Sequence, residues 1–240
     1  MSGLILPPGK AFGCLERKLP FGKVPGCPPM ADVIEIIPEK DWGDLIGKVS
    51  LRPNVKVILD QDGVGSCATE SCTQGLMIVR DVARLPFELL NPWSVYCWTS
   101  GGRDQGSNID SNLVHARDKG ILPESYWPRS KGWRTKPPTG WEDVAKDFQI
   151  EEFYDIRNTT EVGSALIKGF AVVMGWSGHS VILTRLLDNE TAEYCNSWDE
   201  SWGDSGFGTI KLRSINWGYG AFSIRTATSH GGTPVPEPKI

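Results

Sequence analysis

Three stretches of the chain carry apolar residues at the three- or four-residue spacing of a helix with one buried face. The first stretch begins at Ser66, an acceptable N-cap, and runs to about Arg84. The second begins with a capping-box-like pair, Ser107 and Asp110, and the third spans residues 160–168. In the first two helices the buried stripes are Ala68, Cys72, Leu76, Val79 and Ala83, and then Ile109, Leu113 and Ala116. Gly120 and Gly169 are the predicted stops of the second and third helices.

The second half of the chain is instead rich in short apolar and β-branched runs, which are typical of strands. The predicted strands are 170–176, 179–187, 192–198, 209–212 and 221–226. Ser177-Gly178 and Asp188-Asn189 supply turn signals between the first three of them. Helices followed by antiparallel strands predict an α+β protein with two segregated lobes.

Composition narrows the possible classes of protein. The 240 residues are 40% hydrophobic, which is enough for a substantial core and excludes a disordered chain. A net charge of −4 without a basic stripe argues against a nucleic-acid partner, and no apolar run approaches the roughly 18 residues of a membrane span. The first residues lack the pattern of a secretory signal. Residues 1–39 are rich in proline and glycine and are predicted to form an extended arm. Residues 228–240 are rich in proline and are predicted to form an extended tail.

A glycine-rich loop delivers Cys67 to the first turn of the first predicted helix, in the order Gln61-Asp-Gly-Val-Gly-Ser-Cys67. Free amides and the positive end of the helix dipole at this position favour a thiolate and can receive an oxyanion. A buried structural cysteine at a helix start remains the alternative, because free cysteine is among the most buried residue types.

A nucleophilic cysteine needs a base, and the chain contains only three histidines. His230 lies in the polar tail and His115 inside the second predicted helix, whereas His179 opens a strand. Asn196, at the end of a following strand, can lie beside His179 and orient its imidazole. Taken singly, His179 can be a structural histidine and Asn196 a turn residue, so the Cys–His–Asn order carries the prediction.

These blocks resemble the papain-like cysteine peptidases. The loop from Gln61 to Cys67 is similar to that family's glutamine-to-cysteine loop, and Asn196-Ser-Trp-Asp-Glu-Ser-Trp-Gly-Asp-Ser-Gly-Phe207 is similar to its asparagine motif. The segment from Asp104 to Pro128 resembles the middle region of bacterial and viral members, and Asp41-Trp42 resembles the start of the mature domain. The resemblance covers about residues 40–227, and the arm is too short for the long inhibitory prosegment of secreted relatives.

The resemblance implies a fold and a role for each matching position. A helical lobe at about 60–140 would present Cys67, and an antiparallel β-barrel-like lobe at about 145–227 would present His179, with the groove between them. Cys67 would be the nucleophile, His179 the base and later the acid, Asn196 the residue that orients His179, and Gln61 an oxyanion-hole donor. The implied substrate-binding positions are Gly106, Ser107, Ser177, Gly178 and Trp198, and Trp202 would help Trp198 to cover the His–Asn contact. No cofactor or metal is implied.

Several positions depart from the family pattern. Val64 stands where secreted members have a disulfide cysteine, which is consistent with a reducing compartment and predicts a cytoplasmic or virion-associated protein. Cys14 and Cys27, in the arm, can pair or bind metal, although two loop cysteines are a weak zinc signal. Three positions next to the candidate residues differ from the family pattern: Ala68 after Cys67, Ser180 after His179 and Asp199 after Trp198. The carboxylate of Asp199 is expected to alter the pH dependence of activity.

Three functions therefore stay open at this point. The first is a thiol peptidase that acts on polypeptides through an acyl-enzyme on Cys67. The second is a catalytically weak or silent papain-like module in a virus particle or larger assembly, attached through its terminal arms. The third keeps the same residues for hydrolysis of a non-protein amide or for acyl transfer. The proline-rich arm itself can lie across the groove, anchor the protein to a partner, or serve as a flexible attachment.

Overall fold

The computed structural model describes residues 6–228, so the start of the predicted arm and residues 229–240 of the predicted tail lie outside it. The helices are α1 (Met30–Val33), α2 (Cys67–Val82), α3 (Trp93–Thr99), α4 (Ile109–Asp118), α5 (Glu142–Ala145) and α6 (Thr159–Ile167). The strands are β1 (Cys14–Leu15), β2 (Ser107–Asn108), β3 (Ile150–Ile156), β4 (Ala171–Trp176), β5 (His179–Leu186), β6 (Thr191–Cys195), β7 (Phe207–Lys211) and β8 (Ala221–Ala227). Within this described part, no helix is both long and apolar enough to cross a bilayer.

Six strands form one antiparallel sheet in the order β3-β8-β4-β5-β6-β7, and β1 pairs separately with β2 in parallel. The mixed helix and antiparallel-sheet content agrees with the predicted fold class. The predicted arrangement in two lobes is not confirmed. The barrel-like form is not confirmed either, because β3 and β7 are unpaired edges and no sheet closes on itself within residues 6–228.

Both faces of the sheet are buried, which explains why β4 and β5 read as nearly continuous apolar runs. Along β4, Ala171 and Val173 belong to the core cluster that contains α2 and α4, whereas Val172 and Met174 belong to a second cluster with α6. This two-residue alternation follows from the pleat of a strand. The sheet therefore separates the helix that begins at Cys67 from α6 on its other face.

Helix α2 lies directly on the sheet because it has a glycine at the contact. A Cβ atom added to Gly75 would lie 2.6 Å from Ile224 Cδ1 and 3.2 Å from Ile182 Cδ1, so a side chain there would force these isoleucines or the helix to shift. The close approach fixes the height of the helix above β5 and β8. The contact thereby sets the position of Cys67, the first residue of α2, relative to His179, the first residue of β5.

Ser66 is the N-cap residue of α2, as predicted, although its hydroxyl donates to Glu70 and makes no capping hydrogen bond. The predicted start of the second helix was wrong. Ser107 belongs to β2 and not to a capping box, since α4 begins at Ile109, after Asn108. The predicted strand 192–198 ends at Cys195, where the chain turns away to form the candidate site.

Replacing Gly163 with alanine is expected to lower the free energy of unfolding by about 1–3 kcal/mol, the usual cost of overpacking a core. The new Cβ atom would lie 2.1 Å from the ring of Trp42, which is fully buried against α6 and cannot swing aside. This clash outweighs the helix-propensity gain of at most about 1 kcal/mol. Urea denaturation would measure the loss. Gly43→Ala is the control, because a Cβ atom there meets open space, and an equal loss in both variants would contradict the expectation.

Candidate active site

Cys67 is the first residue of α2, and its side chain is completely buried. The loop before it turns sharply at Asp62 and Gly63, whose φ values are 51° and 75°. Burial raises the pKa of the Cys67 thiol to about 12, against the lowering effect of the backbone of Ser180 and, after it, of Gly13 and Ala68. The closed surroundings thus keep the thiol protonated, although backbone amides favour its charged form.

His179 and Asn196 are brought together by the hairpin of β5 and β6. Ile182 pairs with Cys195 across these strands, so the first residue of β5 and the residue just after β6 lie at the same end of the sheet. His179 Nε2 is 2.7 Å from Asn196 Oδ1, and the same oxygen accepts a hydrogen bond from the backbone amide of Ser197. The backbone donor identifies this atom of the amide as the oxygen, so Nε2 of the imidazole carries the proton.

The other imidazole nitrogen is left available. His179 Nδ1 is buried and has no hydrogen-bond partner within residues 6–228. Burial lowers the pKa of His179 to about 4, against the upward effect of the hydrogen bond to Asn196. A neutral ring with its proton on Nε2 has its lone pair on Nδ1, which is the arrangement that a general base requires.

Two tryptophans cover the histidine. The ring of Trp198 stacks on His179 with centroids 4.6 Å apart, and Trp202 meets Trp198 edge-on at 5.5 Å. Trp198 was predicted to bind substrate, but it is 1% exposed and lies behind the imidazole. Its observed contacts are those of a residue that shields the His–Asn pair from water.

Gln61 is fixed by hydrogen bonds on both sides of its amide. Its Oε1 accepts from Ser197 Oγ at 2.9 Å and from Trp198 Nε1 at 3.0 Å. Its Nε2 therefore points the other way and donates to the carbonyl oxygens of Val64, at 2.7 Å, and Ala11, at 2.8 Å. One N–H of Gln61 thus donates to the carbonyl oxygen of Ala11, which lies outside the loop of Gln61.

That carbonyl belongs to the N-terminal arm, which lies across the site. The backbone amides of Gly13 and Cys14 donate to Gly178 O at 3.1 and 2.9 Å, and Ser107 N donates to Gly13 O at 2.9 Å. The ring of Phe12 lies 5.9 Å from His179. Of the three arrangements that the sequence left open for the arm, the structure has the one in which residues 11–14 of the arm lie against the candidate site.

The arm lies very close to the neighbouring loops because both the arm and the loops have glycines at the contact. A Cβ atom on Gly13 would lie 1.9 Å from Gly65 O, and one on Gly106 would lie 2.3 Å from Gly13 O. Gly106, Ser107 and Gly178, all predicted to bind substrate, therefore contact the arm. Ser177, the remaining predicted position, is exposed in the turn before His179, with a φ of 50°.

An ion pair that the sequence did not predict lies beneath the site. Glu70 lies one turn after Cys67, is fully buried, and accepts hydrogen bonds from Ser66 Oγ at 3.0 Å and Arg129 Nη2 at 2.5 Å. Burial raises the pKa of Glu70 to about 7, while Arg129 acts in the opposite direction. The guanidinium of Arg129 also donates to the carbonyl oxygen of Asp60, next to Gln61. The Ser66–Glu70 spacing was the one sequence signal available for this network.

The six cysteines are all free and buried, including Cys14 and Cys27, for which pairing or metal binding had been left open. No group of three or more histidine, cysteine or acidic side chains in residues 6–228 is arranged to hold a metal ion. The candidate site therefore consists of one thiol, one imidazole and two side-chain amides.

Comparisons with protein-family models and with curated proteins found no match to this sequence. Solved structures do match, and they define the class: the chain has the fold of the papain-like cysteine peptidases. One similar structure is xylellain, a cysteine protease from Xylella fastidiosa, which is 18% identical with a TM-score of 0.68. The match covers 93% of this chain and 99% of xylellain.

Two further matches are digestive procathepsins from the larval midgut of Tenebrio molitor. Procathepsin L2 is 15% identical with a TM-score of 0.67, and the match covers 93% of this chain and 83% of that one. Procathepsin L 3 is 16% identical with a TM-score of 0.63, over 86% of this chain and 75% of the other. At these identities the likeness establishes the fold, and the chemistry has to be argued from the site itself.

Proposed function

We propose that the protein is a cysteine peptidase that hydrolyses peptide bonds through a thioester on Cys67. The observation that carries the proposal is the His179–Asn196 pair, in which Nε2 is held at 2.7 Å by an amide oxygen and Nδ1 is left without a partner. This arrangement leaves the lone pair of the imidazole free, and the proposed nucleophile, Cys67, is the first residue of helix α2.

The proposed reaction begins with acylation of Cys67. His179 Nδ1 takes the thiol proton, and the Cys67 sulfur attacks the carbonyl carbon of the substrate. The oxyanion receives hydrogen bonds from Gln61 Nε2 and from the backbone amide of Cys67. His179 then gives the proton to the leaving amine, and water hydrolyses the thioester with His179 again acting as base.

The arm makes the described state a latent one. With the arm in place, burial keeps the pKa of Cys67 at about 12 and that of His179 at about 4, so both groups are neutral. Water admitted by movement of the arm would stabilise the thiolate and the imidazolium and bring the two pKa values toward each other. Displacement of the arm is therefore the step that activates the pair.

The direction of the arm is expected to protect it from cleavage at this site. In the proposed roles, Gly106, Ser107 and Gly178 bind the acyl side of a substrate, which precedes the cleaved bond. In the arm, the residues at these positions, Gly13 and Cys14, follow the carbonyl that Gln61 holds, that of Ala11. The arm thus runs opposite to a substrate and presents its carbonyl in the wrong orientation for attack.

The proposal is tested with the full-length chain carrying Gly13→Val, in which the new side chain would collide with Gly65 and displace the arm. We expect this protein to cleave members of an unbiased peptide library, as detected by mass spectrometry. Cys67→Ala in the same background should abolish cleavage. Persistent cleavage by the Cys67→Ala protein, or none by a folded Gly13→Val protein, would exclude a Cys67 peptidase.

A further inference from the structure

Two carboxylates lie on either side of the residues that build the oxyanion site. Asp60 immediately precedes Gln61, and Asp199 immediately follows Trp198. An isolated bridge joins Asp60 to Trp198, so the two chain segments run side by side. Both carboxylates consequently reach the same point at the rim of the groove.

A cation from the arm occupies that point. Lys10 Nζ lies 2.7 and 2.8 Å from the two carboxylate oxygens of Asp60 and 3.2 Å from Asp199 Oδ2. The side chain of Lys10 is 14% exposed, so most of its aliphatic stem is covered as well. Lys10 belongs to the arm, which lies where a substrate would bind. Its ammonium group therefore marks a position that a cationic side chain of a substrate could occupy.

The carboxylates are held by their own loops and do not depend on Lys10 for their position. Asp60 Oδ1 accepts from the backbone amide of Asp62 at 3.0 Å, and Asp199 Oδ1 accepts from that of Ser201 at 2.6 Å. Hydrogen bonds from Ser201, followed by the contact with Lys10, hold the pKa of Asp199 below its ordinary value. When the arm leaves, two oriented negative charges therefore remain at the rim.

The site lies on one defined side of the cleaved bond. Gln61 holds the carbonyl of Ala11, and Lys10 is the residue just before it in the arm. Gly13 and Cys14, on the other side of that carbonyl, lie along Gly178 at the acyl side. The two carboxylates therefore border the leaving-group side, where the residues after the cleaved bond of a substrate would lie.

We infer that Asp60 and Asp199 form a subsite for a lysine or arginine side chain in the first two residues after the cleaved bond. The inference rests on the proposed function. A substrate ammonium or guanidinium group would take the place of the Lys10 ammonium and restore its charge-assisted hydrogen bonds. Substrate selection and docking of the arm thus use the same pair of carboxylates.

The first experiment measures kcat/KM for the full-length Gly13→Val protein with fluorogenic peptides that differ only at these two positions. Lysine or arginine is expected to be preferred over leucine about tenfold, as for a partly covered charge-assisted contact. The preference should shrink as salt is added. Equal rates for lysine, leucine and glutamate peptides would overturn the inference.

Matched variants assign the preference to the two carboxylates. Asp60→Asn and Asp199→Asn remove one charge each while keeping a side chain that can accept from the same backbone amides, and each should reduce the lysine preference. Glu200→Gln makes the same change in net charge one residue away, at an exposed position, and should leave the preference intact. A loss of preference in all three variants would indicate a general effect of charge and contradict the subsite.

A binding measurement separates the subsite from the chemistry. A labelled peptide of residues 6–19 is titrated against the full-length Cys67→Ala, Gly13→Val protein, and its Lys10→Leu version should bind about tenfold more weakly. Asp60→Asn and Asp199→Asn should each reduce that difference. Binding selectivity without cleavage of any peptide would refute the proposed function and leave the subsite standing, whereas equal binding of both peptides would refute the subsite. Gly13→Ala serves as a milder arm variant if the valine protein does not fold.

Discussion

Alkylation of Cys67 by iodoacetamide at neutral pH is expected to be about 10- to 100-fold faster in Gly13→Val than in the natural chain. In the natural chain the thiol is fully buried and can react only when the arm opens. A Cβ atom at Gly13 would lie 1.9 Å from Gly65 O, and overpacking of this kind costs about 1–3 kcal/mol. Because each 1.4 kcal/mol changes an equilibrium about tenfold, the open fraction and the alkylation rate should rise accordingly.

Peptide mapping of the six cysteines would assign the rate to Cys67. Gly9→Asn is the matched control in the same arm, because a Cβ atom there meets open space and asparagine tolerates the φ of 76°. This control should react at nearly the rate of the natural chain. Equal rates for Gly13→Val and the natural chain, with both proteins folded, would contradict the conclusion that the arm limits access to the thiol.

The second large effect is expected from His179→Ala in the Gly13→Val background. Loss of the base should lower kcat/KM for a cleaved peptide by about 10²- to 10⁴-fold, the usual contribution of general acid–base catalysis. It should also move the pH profile of Cys67 alkylation toward that of an ordinary thiol, with a pKa near 8.5. A merely structural histidine would not produce this shift in the profile.

Two further variants in the same background provide comparisons for that result: Asn196→Ala, with a smaller expected loss, and His115→Ala, a control. Asn196 orients the ring through the 2.7 Å hydrogen bond without taking the proton, so its loss should be milder than that of His179. His115 is stacked on Trp141, away from the site, and its replacement should leave kcat/KM near that of the parent. An unshifted alkylation profile in His179→Ala would exclude this histidine as the partner of the thiol.

Periodicity in the sequence predicted the elements that carry the site. Helices α2, α4 and α6 and strands β4 to β8 lie within a few residues of their predicted bounds, because each buries a regular apolar face. Helix α3 was missed because Trp-Ser-Val-Tyr-Cys-Trp-Thr is short and rich in aromatic and β-branched residues, which favour strands. Strand β3 was missed because Glu151 and Glu152 interrupt its apolar pattern.

The candidate residues followed from motifs, but their surroundings did not. The hairpin spacing was enough to predict the approach of His179 and Asn196. The position of the arm depends on backbone hydrogen bonds of Gly13 and Gly178, which leave no side-chain pattern to read. The Glu70–Arg129 pair joins residues 59 positions apart, so no local spacing could reveal it. The catalytic roles and the boundaries at residues 40 and 227 stay predictions.

The arm has a kinetic consequence because it is part of the same chain. A tethered segment has an effective concentration set by its length and stiffness, and dilution of the protein does not lower it. A substrate therefore binds only the fraction of molecules whose groove is open, and its apparent dissociation constant is the intrinsic one divided by that fraction. Raising the substrate concentration, or cutting the chain within the arm, would increase the turnover rate. Diluting the protein would leave the activity per molecule unchanged.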